Sequence, residues 1–147
     1  PILALVERGG NVRTFHVPVA DKVTVTNIVR DNIARESRLH TDESRLYTGS
    51  NEYFASHESV KHSAGEYVRG DVTTNTVESY FSIFKRGMRG TYQHCAEKHL
   101  HRYLAEFDFR HNNRIALGVN DTMRAENLAA GIAGKRLTYR RPNQAGI

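Results

Sequence analysis

The stretch PILALVERGGNVRTFHVPVADKVTVTNIVRDNIARESRLHTDES, residues 1–44, decides the fold class. It opens on an apolar run, breaks at Gly9-Gly10-Asn11 and resumes with β-branched and aromatic residues from Val12 to Val17, the pattern of two strands joined by a tight turn. Pro18 lacks the N–H that a ladder would use, so the second strand ends there. Val25, Ile28, Val29 and Ile33 then recur at helical spacing within Thr24–Ala34, with Asp21 or Thr24 available as N-cap. Leu39 is the one large apolar residue of SRLHTDES, which reads as a brief strand ending at Asp42. A hairpin, a crossover helix and a further strand predict an α/β or α+β sandwich.

Downstream, the pattern is strand over residues 52–60, loop over Gly65–Asp71, and then helix. From Asn75, an apolar stripe of Val77, Phe81, Phe84 and Met88 faces one way and Glu78, Ser82, Lys85 and Arg89 another. A second helix is predicted from Glu97 to Arg110, with Leu100, Tyr103, Leu104 and Phe107 as its stripe, and a short one over Ala125–Ala130 ahead of a basic end, GKRLTYRR. Only about four strands are visible, and the chain opens inside a sheet.

Composition fits a globular protein of 147 residues, 39% hydrophobic and 25% charged, without repeats or low-complexity tracts. No leader or run of membrane-spanning length is visible, so the expectation is an intracellular protein and no membrane partner. A single cysteine, Cys95, excludes an internal disulfide. The net charge of +5 is unevenly placed: residues 1–83 carry nine Lys/Arg against eleven Asp/Glu, and residues 84–147 carry twelve against five. A basic half of that kind suits a polyanionic partner.

Carboxylates on separate elements are what two-metal phosphodiester chemistry needs, because Mg²⁺ prefers oxygen ligands and neighbouring cations repel unless anions neutralise them. Asp42, at a strand end, and Glu78, near the start of a helix, are the candidates; Lys85 lies two turns beyond Glu78, where it can meet a DNA phosphate. Each has a structural reading as well. Asp42 suits a polar turn, Asn75 and Glu78 have the spacing of a capping box, and Lys85 with Arg86 suits a solvated helix face. His62, ahead of the Gly65 loop, is placed to orient a carboxylate or phosphate. His94, Cys95, His99 and His101 form a compact HCAEKHLH group in which Cys95 and His99 have the one-turn spacing of zinc ligands, although further ligands are not evident. The aromatic residues at helical spacing read as core.

The run HSAGEYVRGDVTTNTVESYFSIFKRGMRGTYQHCAEKHLHRYLAEFDFRHNNR, His62–Arg114, together with VERGGNVRTFHV, the TDES around Asp42 and the closing GKRLTYR, resembles the DDE transposases of ISXO-like bacterial insertion sequences over nearly the whole chain. The resemblance implies a ribonuclease H-like fold, a mixed sheet flanked by helices, forming a single catalytic domain over residues 1–147. It implies Asp42 and Glu78 as catalytic ligands of Mg²⁺ or Mn²⁺, and Lys85, with Arg86 and Arg89, as contacts to the DNA backbone. The partners it implies are transposon ends and target DNA, with a homo-oligomer in the active complex, at the nucleoid of a bacterial cytoplasm. The family's first aspartate lies on a central strand upstream of the block resembling PILALVERGG, and neither Glu7 nor Asp21 takes its place. On that reading the domain is partial and its sheet lacks that strand. The expectation is that this chain alone is poorly stable and without strand-transfer activity. Two other readings stand beside it: a DNA-binding remnant without chemistry, and a nuclease on the same fold that uses only water as nucleophile.

Overall fold

The computed structural model describes residues 1–135, so the basic end predicted over GKRLTYRR lies outside the described residues apart from Gly134 and Lys135. The chain divides into two units, residues 1–112 and the remainder. In the first, strand β1 (Ile2–Val6) pairs antiparallel with β2 (Val12–His16) as the predicted hairpin, Val6 opposite Val12. Helix α1 (Lys22–Asn32) follows. Its N-cap is Asp21, whose carboxylate accepts the Thr24 amide at 2.7 Å and is held below the usual carboxylate range by that bond. Val25 and Val29, each 3% exposed, put the apolar stripe of α1 against Leu3 and Leu5 of β1, Phe54, and Leu39 of the next strand. Burying each valine contributes about 2 kcal/mol, so α1 is the element that binds hairpin and later strand into one core.

Strand β3 (Arg38–Asp42) ends where the sequence predicts and pairs in parallel with β4 (Ser56–Val60), Asp42 opposite Val60. β4 is shorter than the predicted strand because Arg45–Tyr47 and Ser50–Glu52 close as single 3₁₀ turns, which bring the chain back to start a parallel neighbour. The predicted loop at Gly65–Asp71 instead contributes to a small hairpin, β5 (Val68–Arg69) with β6 (Val72–Thr73). Gly70, at φ +63°, takes the first central position of its two-residue turn, where a left-handed conformation is needed. Arg38 reaches Glu58 at 3.0 Å and Asp71 at 2.7 Å, and Arg69 donates to the Ser59 carbonyl at 2.9 Å. These contacts fix the small hairpin on the β3–β4 pair.

Helix α2 (Asn75–Gly87) leaves β6 directly and buries Tyr80 and Phe84, so the centre of its apolar face is Tyr80 and Phe84 with Val77, Phe81 and Met88 at its margin. A π turn over Met88–Tyr92 and a 3₁₀ turn over Glu97–His99 lead to α3 (Leu100–Asn112), which buries Leu104 and packs Phe107 edge-on to Phe84. α3 starts three residues later than the Glu97 predicted and runs two past Arg110. One face of α3 seals β2. The Asp108 carboxylate accepts the Thr14 amide and hydroxyl, both at 2.9 Å, and the Tyr80 hydroxyl at 2.6 Å. Asn112 accepts the Val12 amide at 2.7 Å and donates to the Val12 carbonyl at 2.9 Å.

The chain is mixed α/β, but among the described residues its strands form three two-stranded pairs where one mixed sheet is expected. Among the described residues neither β1 nor β3 has a second partner strand. The second unit holds α4 (Asp121–Ala130), which starts ahead of the predicted Ala125 because Asn120 caps it by accepting the Met123 amide at 2.9 Å.

Candidate active site

Asp42 stands at the end of β3, exposed. One carboxylate oxygen accepts the Ser44 amide at 3.0 Å, the turn contact that position favours, and the other takes no hydrogen bond among the described residues. Its neighbour Glu43 accepts the amides of His62 at 2.6 Å and Ser63 at 2.9 Å, and the bonds from Ser63 lead in holding its carboxyl below the usual range. The register explains this reach: Val60 lies opposite Asp42, so the turn at His62–Ala64 begins just past the ends of both strands.

Glu78 lies in the first turns of α2. The predicted capping box does not form. Thr74, 8% exposed, is the N-cap, and the Asn75 amide goes to Thr73 Oγ1 at 3.1 Å. The Glu78 carboxylate therefore has no capping amide; it accepts the Thr74 hydroxyl through Oε1 at 2.6 Å, with His62 Nε2 3.3 Å from the same oxygen and 3.1 Å from Thr74 Oγ1. Oε2 takes no hydrogen bond among the described residues, and the side chain is half exposed. The segments bearing Asp42 and Glu78 are thus joined through Glu43 and His62.

A groove runs from Glu78 along α2, lined by Phe81, Ser82 and Lys85, and a second by Asn75, Glu78, Ser79 and Ser82. Lys85 therefore shares a surface with Glu78, as its two-turn spacing predicts. Lys85, Arg86 and Arg89 are exposed, and none forms an ion pair among the described residues. With no carboxylate neutralising them, they give the helix end a positive face.

Two acidic groups with free oxygens suit a hard divalent cation such as Mg²⁺, which takes one or two carboxylates and completes its shell with water and substrate phosphate. Among the described residues no three His, Cys, Asp or Glu side chains cluster as a metal-binding group, and that includes His94, Cys95, His99 and His101. Cys95 Sγ instead contacts the Ala96 carbonyl. Sequence reasoning missed Glu43 and Thr74. The signal for Thr74 was there, a capable capping residue four positions ahead of an acid, but Asn75 competed with it.

Residues 1–112 match the ISXO2-like transposase domain, and the chain belongs to that family. The matched span coincides with the first structural unit. Among curated proteins, the chain is 33% identical over 114 residues to an uncharacterized protein in transposable element ISH50 of Halobacterium salinarum (strain ATCC 700922 / JCM 11081 / NRC-1), a match covering 75% of this chain and 38% of that protein. The chain thus spans well under half the length of that relative. No solved structure matches. No helix among the described residues is long and apolar enough to cross a membrane.

Proposed function

We propose that this chain is catalytic-domain sequence of a DNA transposase that cuts and rejoins phosphodiesters during movement of an insertion sequence. The observation that carries the reading is the linkage of Asp42 to Glu78 through Glu43 and His62, each outer carboxylate keeping one oxygen unbonded among the described residues. Asp42 and Glu78 would hold Mg²⁺ or Mn²⁺, which when bound stabilises the attacking and leaving oxygens of an in-line displacement by water or a DNA 3′-OH. Lys85, with Arg86 and Arg89, positions the DNA backbone along the groove and reads no bases. Transposon ends and target DNA are the partners, with synapsis by a homo-oligomer.

The fold that goes with this chemistry is ribonuclease H-like, with the β1–β2 and β3–β4 pairs as parts of one mixed sheet. Its support is that α1 packs on β1 and β3 together, that Arg8 reaches His40 of β3 at 3.0 Å, and that α3 side chains already bond the far edge of β2.

The test is Glu78→Gln in the transposase that contains this chain. Metal-dependent cleavage and joining should nearly vanish while DNA binding persists; full activity in that variant would refute the assignment. The exposed cations Lys85 and Arg86 of α2 and Arg89 of the π turn equally favour a second reading, a DNA-binding module without chemistry. Such a module holds DNA as well in chelator as in Mg²⁺, with affinity falling as salt rises.

A further inference from the structure

We infer that His62 is a positioning residue for Glu78, and that the turn it begins sets the spacing between the Asp42 and Glu78 carboxylates. The inference rests on the reading of Glu78 as a metal ligand and goes past it, because it concerns what holds that carboxylate in place.

The argument starts from protons. The Thr74 hydroxyl has one, and at 2.6 Å it goes to Glu78 Oε1. Thr74 Oγ1 is then left as an acceptor, and the donor within reach is His62 Nε2, 3.1 Å from Thr74 Oγ1 and 3.3 Å from Glu78 Oε1. The ring nitrogen facing Glu78 therefore carries hydrogen and donates it to Thr74 Oγ1, so the imidazole orients the hydroxyl that holds the carboxylate oxygen and itself stands 3.3 Å from that oxygen. Tyr67 stands edge-on to the ring, 5.1 Å between centroids, and limits its rotation. Oε2 is the oxygen left for a ligand.

The main chain of the same residue does the second half of the work. His62 N–H and Ser63 N–H both donate to Glu43, the residue after Asp42, and β4 delivers the turn there because Val60, fully buried, is locked opposite Asp42. One residue thus holds the β3 end through its backbone and, by way of the Thr74 hydroxyl, the α2 carboxylate through its side chain. Glu78 is half exposed and among the described residues is held by the Thr74 hydroxyl alone, with His62 beside both, so without His62 nothing orients that hydroxyl. Groups that orient a metal's ligands from behind commonly change its affinity by about 10–100-fold.

The experiment is a Mn²⁺ titration of the transposase that contains this chain, followed by electron paramagnetic resonance of the free ion, with long-range ¹H–¹⁵N spectra of the His62 ring as an independent arm. Glu78→Gln should lose Mn²⁺, His62→Ala should bind it about tenfold or more weakly, and His62→Gln, which keeps an N–H donor, should recover most of that loss. The ring should be a single Nε2–H tautomer, released to a mixture in Glu78→Ala and Thr74→Val. Wild-type affinity in His62→Ala, with Glu78→Gln defective, overturns the inference and leaves the metal reading standing. So does a ring that is mixed in the wild-type chain. If Glu78→Gln binds Mn²⁺ like the wild type, the metal reading fails and takes the inference with it, even where the ring spectra show the His62–Glu78 contact intact.

Discussion

Asn112 hydrogen-bonds both the amide and the carbonyl of Val12, 100 residues away, so a helix side chain stands where a neighbouring strand would otherwise pair. Val12 is 3% exposed, so water is a poor substitute for a lost partner there. Asn112→Ala leaves a buried donor and a buried acceptor unsatisfied and should destabilise the chain by about 2–4 kcal/mol. Urea denaturation checks it. A loss within about 0.5 kcal/mol, the size of an ordinary surface substitution, would mean that α3 does not seal β2.

That contact also marks the limit of what the sequence makes legible. The β1–β2 hairpin, α1, the end of β3 at Asp42 and the bodies of α2 and α3 follow from local periodicity and turn residues, which are written within a few positions of where they act. Asp108 and Asn112 are polar residues one turn apart, the look of a solvated face; their role depends on a strand a hundred residues earlier. The β5–β6 hairpin has two residues per strand, too few for any alternation to register. At the site, Thr73, Thr74 and Asn75 are all able to cap a helix, so composition does not choose among them. The choice is made by long-range contact, because Thr74 is buried where His62 meets it. The link from Asp42 through Glu43 to His62 depends on β3–β4 register and was invisible for the same reason.

Gly87 is a close-approach position. A Cβ there would sit 2.4 Å from Phe107 Cζ and 3.1 Å from Cε1. In an open helix, glycine to alanine stabilises by about 1 kcal/mol through backbone entropy. Here overpacking opposes it by about 1–3 kcal/mol, because Phe107 is wedged between Phe84 and Tyr92. Gly87→Ala is therefore expected to lower the thermal midpoint, and Phe107→Leu in the same chain to lessen the effect of the alanine. A raised midpoint in the single variant would show that the ring moves aside freely.

Lys85 is exposed, without a salt bridge among the described residues, and lines the groove that begins at Glu78. If it meets a phosphate, Lys85→Ala should weaken binding about equally for unrelated DNA sequences and reduce the slope of log affinity against log salt by about one. Fluorescence anisotropy across a salt series measures both. An unchanged slope would remove Lys85 from the DNA-facing surface, and a sequence-selective loss would make it a reader of bases.

His57 gives the fold a pH dependence whose sign follows from its surroundings. Its Nε2 lies 2.9 Å from Thr41 Oγ1 on the paired strand and its ring leans on Tyr47, while burial, and then the nearby His40, push its imidazole below the ordinary value. The unfolded chain, with an ordinary imidazole near pH 6.5, binds the proton first. Stability tied to neutral His57 is accordingly full above about pH 6.5 and declines as the pH falls through that value toward the lower folded one. His40, also pushed down, by burial and then by Arg8 and Arg38, adds to the same trend. His57→Gln keeps a partner for Thr41 and does not titrate, so its urea midpoint should drop less than the wild type's between about pH 7.5 and pH 5.5. Equal drops would place the acid sensitivity elsewhere, with His40 the next residue to replace.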